Sequence, residues 1–219
     1  MIGPLRTGCA AGVLSLALIA QGASSHPHVF VDGGVDVVIR DGSVLEALEV
    51  TWLYDPFESL YILASLGVIP DARMQLSDAD RARLIAHEAD WSDGFTGSAH
   101  LSVAGSDIPL ARPVSFDVHL TGDRLQVTFR RDLLQPVDLS GRAAEIAFYE
   151  ATYFYAFSAT HRPEFLGPAT DCSTDVIHFD PDEQAASLQA TLFDLSREET
   201  PSIDNVGALF ADRIVFQCA

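Results

Sequence analysis

The sequence predicts an α+β fold: mainly antiparallel β-sheet, two helices packed against it, and one disulfide. Three observations predict it. Short stretches in which apolar and polar residues alternate outnumber stretches with a helical period, and alternation puts every second side chain on one buried face. The two helical stretches sit together between two groups of strands, not interleaved one for one as in a βαβ chain. Two cysteines, Cys172 and Cys218, remain once a leader at the start of the chain is set aside. An even pair in an exported chain reads as a disulfide.

The leader begins with Arg6, followed by "AAGVLSLALIA". This apolar run of roughly 11 residues falls within the ~7–15 of a signal-peptide core and short of the ~20 that span a bilayer. Small residues follow at "GASS". The expected organisation is a signal peptide over residues 1–25 and a single periplasmic domain over residues 26–219. Cys9 precedes the apolar run, the wrong side for a lipid-bearing cysteine. No later run is long enough to cross a membrane, so the chain is expected not to span one after signal removal. The Cys172–Cys218 bridge would close a loop of roughly 45 residues and stabilise the fold by ~3–4 kcal/mol. A CxxC motif is absent, which gives thiol redox chemistry no support.

After the leader, "HVFVDGGVDVVIRDGSVLEALEVTWLYD" reads as two strands around a turn at "RDGS". "DPFESLYILASLG" is a short helix, with Asp55 at the N-cap, Pro56 in the first turn, Glu58 at the capping-box position and Gly67 at the stop. "LSDADRARLIAHEADW" is a second helix capped by Ser77, on which His87, Asp90 and Arg83 form a solvated charged face. The stretch from Ser98 to Leu133 is strand-rich, with turns at "AGSD" and "TGDR" and with His100 and His119 as ordinary strand residues. "LLQPVDLSGRA" reads as a loop. "EIAFYEATYFYAFSATH" alternates and is crowded with aromatics, so it reads as a central strand or two, with Glu150 on the face of Phe148 and Phe154. A carboxylate buried there must be hydrogen-bonded, protonated or bound to an ion. His161 follows in a loop. "STDVIHFDPDEQ" is an acidic loop around a short strand, without EF-hand spacing, and "NVGALFADRIVFQCA" is a short helix and a last strand.

The chain carries a net charge of -18 from 31 acids and 13 bases, and every base is arginine. Such a surface repels phosphate backbones, which excludes nucleic acid as a partner. Glycine-rich nucleotide loops, a GxSxG elbow and HExxH are all absent. The enzymatic case is weak.

What remains is "SSHPHVFVDGG". Cleavage after Ser25 would leave His26 first, with its amine and imidazole able to chelate one ion and His28 adding a third nitrogen. Cleavage after Ala23 would give Ser24-Ser25-His26, a square-planar set of amine, amides and imidazole suited to Cu(II) or Ni(II). With His26 first, the amide-based mode fails at His28, because Pro27 has no N–H to lose. In the first strand His26, His28, Phe30 and Asp32 share a face, and the two imidazoles stand roughly 7 Å apart along it.

A leader, then HPHVF, then "VTWLYDPFESL", "IAFYEATYFYAF" and a late cysteine together resemble a bacterial periplasmic family, domain of unknown function one-thousand-seven, over nearly the whole mature chain. Members commonly show Tyr-Asp-Pro-Thr-Tyr at the third motif. Here it is Tyr149-Glu150-Ala151-Thr152-Tyr153, so the carboxylate is one carbon longer and the proline is missing. The family is described as a periplasmic component of an uncharacterised transport system, often beside nickel/cobalt-type transporters. The resemblance therefore implies transition-metal handling.

The expectation is a periplasmic accessory protein, not an enzyme, that binds a divalent transition metal (Ni, Co, Zn or Cu) for a membrane metal transporter. His26 and His28 are the core ligands. Asp55 and Glu150 are oxygen ligands or groups that orient the histidines. Two or three nitrogens with a carboxylate suit these ions, and binding weakens below about pH 6, because imidazole ligates only when neutral. Two other classes stay open: a copper enzyme with an amino-terminal histidine brace, and a metal-free module whose aromatic strand contacts a partner.

Overall fold

The computed structural model describes residues 27–180, 182–193, 195, 199 and 201–219. The expected signal peptide, residues 1–25, and His26 lie outside the described residues. The chain opens with β1 (Val29–Arg40) and β2 (Val44–Tyr54), then α1 (Pro56–Ser65) and α2 (Asp78–Glu88). Five strands follow: β3 (Ala99–Val103), β4 (Ser106–Asp107), β5 (Val114–Thr121), β6 (Arg124–Asp138) and β7 (Ala143–Phe148). β8 (Tyr155–Ala159), β9 (Phe165–Leu166) and β10 (Cys172–Ile177) precede α3 (Glu183–Phe193), a 3-10 helix (Val206–Phe210) and β11 (Arg213–Cys218).

The strands form two sheets where one was expected. The first runs β5-β6-β2-β1-β8, with β9 also paired to β1; the second runs β10-β11-β7-β3-β4. Pairing is antiparallel except where β8 and β9 join β1 in parallel. Alternation predicted the strands well. Val29, Val31, Val35, Val37 and Ile39 of β1 are buried, as are Leu125, Val127 and Phe129 of β6. These residues join Leu101, Ile146, Ile214 and Phe216 from the second sheet in one core. Alternation reveals which side of a strand is buried, but not which strand lies beside it. The aromatic stretch, expected as a central strand or two, supplies two strands in different sheets: β7 is central in the second, and β8 is an edge of the first.

The described residues contain three α-helices, not two. α3 begins at the last two residues of the expected acidic loop and runs through a stretch for which the sequence predicted no element; its alanines, glutamines and leucines favour helix, and Leu192 closes a small cluster with Tyr153, Val206 and Phe210. Of the expected loop "LLQPVDLSGRA", Leu133 to Asp138 instead continue β6. Pro136 is accommodated because the register with β2 breaks there: Leu45 faces Val137, but Ala47 faces Asp132. A bulge is where proline is tolerated in a sheet.

Asp55 and Ser77 cap α1 and α2 as the sequence predicts. Ser77 Oγ accepts from Asp80 N–H at 3.1 Å, and Gly67 (φ +63°) ends α1. Gly33 is required by close approach: a Cβ there would lie 1.9 Å from Thr51 O across the β1–β2 pair. Cys172 and Cys218 face each other at the ends of β10 and β11 and form the expected disulfide. Among the described residues, no helix is long and apolar enough to cross a membrane.

Candidate functional site

The start of β1 gathers three of the four residues singled out in the sequence. His28 directly precedes the strand, Asp55 follows β2, which pairs antiparallel with β1, and Glu150 lies in the turn before β8, which pairs parallel with it. Phe154 is the hub. Its carbonyl accepts from His28 N–H (2.9 Å) and Val29 N–H (3.2 Å), and its ring lies 4.7 Å from the His28 ring. Its own N–H donates to Glu150 Oε2 at 2.9 Å.

Glu150 is a turn residue, not a strand residue on the face of Phe148. Besides Phe154 it accepts from Thr152 N–H (3.0 Å) and from Thr152 Oγ1–H (2.7 Å). The carboxylate closes the turn in which Tyr153 takes φ +61°. Asp55 is equally engaged. Its Oδ1 accepts from Phe57 N–H and Glu58 N–H, at 2.8 and 2.9 Å, and its Oδ2 accepts from Phe30 N–H at 2.9 Å. The N-cap's own N–H goes to Phe30 O, so the reciprocal half of the expected capping box does not form with Glu58. Both carboxylates hold backbone, one fixing Phe30 and the other Phe154. Asp32, on the His28 face, pairs with Arg124 at 2.7 Å. Among the described residues, no group of three His, Cys, Asp or Glu side chains is placed to hold a metal ion.

The other histidines are dispersed. His161 Nε2 lies 2.7 Å from Asp36 Oδ1, and His178 Nδ1 lies 3.2 Å from Asp212 Oδ2. His100 stacks on Tyr149 at 3.7 Å, and partial burial lowers its basicity. His119 is exposed on β5.

Beside the β1 end opens a cavity of about 320 Å³ that the sequence did not disclose. Its walls are aromatic: Trp52, Tyr54, Trp91, Phe95, Tyr155 and Phe157. Its acids are Glu88, Asp90 and Glu150. Trp52 and Trp91 lie nearly parallel, 6.1 Å between ring centres. Tyr54 donates its O–H to Glu88 Oε2 at 3.1 Å. Burial, reinforced by Glu58, raises the Glu88 carboxyl to about 7, although the Tyr54 hydrogen bond pulls the other way. Burial also raises Tyr54, Glu58 and Tyr155, each further by neighbouring acids. All four groups are held toward their neutral forms, as expected where negative charge crowds a poorly solvated space. One signal in the sequence points to Glu88: it sits four residues after buried Leu84 and three before Trp91, on the inward stripe of α2.

The protein matches the family model described as "Protein of unknown function (DUF1007)" over residues 11–218. The chain belongs to that family. It is also similar to an uncharacterized protein of Haemophilus influenzae, 24% identical over 208 residues that cover 91% of this chain and 94% of the relative.

Proposed function

We propose that this chain is a periplasmic accessory protein that binds a divalent transition metal for a membrane transporter of nickel, cobalt or zinc type. One observation carries the reading: His28, Asp55 and Glu150, chosen from three distant segments of sequence, meet at one end of one strand. In this proposal His28 and His26 supply ring nitrogens, and removal of residues 1–25 adds the new amine of His26. Asp55 and Glu150 serve by fixing Phe30, two residues from His28, and Phe154, whose carbonyl and ring meet His28. That division follows from their hydrogen bonds, which already engage both oxygens of each carboxylate. The ligand set is incomplete without His26, which makes the position of the signal cut part of the proposal.

Native mass spectrometry of the protein exported to a periplasm tests it. The expected species starts at His26 and retains one nickel, cobalt, zinc or copper ion, which the double variant His26→Ala, His28→Ala loses. A wild-type chain that stays empty after incubation with all four ions would overturn the reading.

A further inference from the structure

We propose that the aromatic cavity between α2, β2 and β8 is a binding site for a small organic ammonium ion. It goes beyond the metal reading and does not rest on it, because none of the proposed nitrogen ligands lines the cavity.

Three observations on the walls and their charges carry it. The cavity is lined by six aromatic side chains, including both tryptophans of the chain. Aromatic rings attract cations that carry alkyl groups, since the ring quadrupole and the apolar contact act together. Its volume of about 320 Å³ sits at the lower end of ligand cavities, a size for a small molecule. The ionisable lining is acidic: Glu88, Asp90 and Glu150, with His87 beside them and no arginine. Arg131 rests 5.2 Å from the Trp91 ring and donates to the carbonyls of Ala111 and Thr96, and Arg112 donates to the Trp91 carbonyl at 2.5 Å.

The groups around Glu88 define how binding responds to pH. Tyr54 faces it from β2, Glu58 acts on it from α1, and Tyr155 from β8 is coupled to Glu58, Glu88 and Glu150. His87 and Asp90 flank it on its own helix end, and both line the cavity. An entering cation favours the ionised carboxylate, so affinity rises with pH through the range in which Glu88 loses its proton.

Both tryptophans line the cavity, which makes intrinsic fluorescence the readout. The full chain is titrated with choline in buffer containing EDTA, so that metal binding at the strand end plays no part. The neutral isostere 3,3-dimethylbutan-1-ol is the control. Choline is expected to quench saturably, with a midpoint about tenfold below that of the isostere and falling between pH 6 and pH 8. Glu88→Gln keeps the shape and an acceptor for Tyr54; it should raise the choline midpoint about tenfold and flatten its pH dependence. Asp90→Asn, on an exposed residue, should raise it severalfold and leave folding intact. No choline response up to about 10 mM, a neutral isostere that matches choline, or unchanged binding in both variants would each overturn the proposal. None of those outcomes bears on whether His26 and His28 hold a metal.

Discussion

Glu88 shows how one residue couples fold and ionisation. It sits at the end of α2, 9% exposed, with the Tyr54 hydroxyl as its hydrogen-bond donor. Its folded value of about 7 exceeds the ordinary 4.5. Between those values the native state holds a proton that the unfolded chain has released, so this group stabilises the fold at low pH. That stabilisation is lost as pH rises through about 7, a change of about 2–3 kcal/mol between pH 5 and pH 8. Urea unfolding of wild type and Glu88→Gln at both pH values measures it. The wild type should lose that much relative to the variant on going to pH 8, and parallel curves would contradict the burial argument. The carboxyls held below their ordinary values, Asp80, Asp117 and Asp138, lie outside this window and do not mask it.

Helix α1 is positioned by a single buried hydroxyl as much as by its apolar face. Ser59 is fully buried. Its Oγ donates to Asp55 O at 2.7 Å and accepts from Leu125 N–H of β6 at 2.8 Å. Ile62 and Leu63 pack the same helix into the core. Ser59→Ala removes the acceptor and leaves the Leu125 N–H buried without one, at a cost of about 1–3 kcal/mol. A lowered urea midpoint with an unchanged slope is the expected result. The sequence placed the caps of α1, because a cap is local chemistry within a few residues. It did not mark Ser59 as a docking residue, because its partner lies 66 positions away. α3 was missed for a related reason: Leu192 is a meaningful apolar position only once Tyr153 and Phe210 are beside it.

For the molecule as a whole, the disulfide ties down an edge. Among the described residues β10 pairs only with β11, and the Cys172–Cys218 bridge joins the two where that edge begins. The intervening segment, a sequence separation of 46, carries α3 and the 3-10 helix that packs on Tyr153. Replacing both cysteines by serine should lower stability by about 3–4 kcal/mol on the chain-entropy estimate. Proteolysis of native protein should then cut first within residues 172–218. Early cleavage elsewhere would place the weak point outside this edge.

The sequence by itself determined most of the strands, the first two helices with their N-caps, the disulfide pair and the family. It also singled out His28, Asp55 and Glu150, which the fold brings to one strand end. All of these rest on local periodicity, on turn and capping chemistry, or on quoted motifs. Only the tertiary structure decided that there are two sheets, that β7 and β8 part company, and that both chosen carboxylates spend their oxygens on backbone N–H groups. It alone disclosed the cavity. Trp52, Glu88, Glu150 and Tyr155 come from separate elements. The burial that raises the Glu88 carboxyl, to which Glu58 adds, exists only after long-range packing has excluded water from around it.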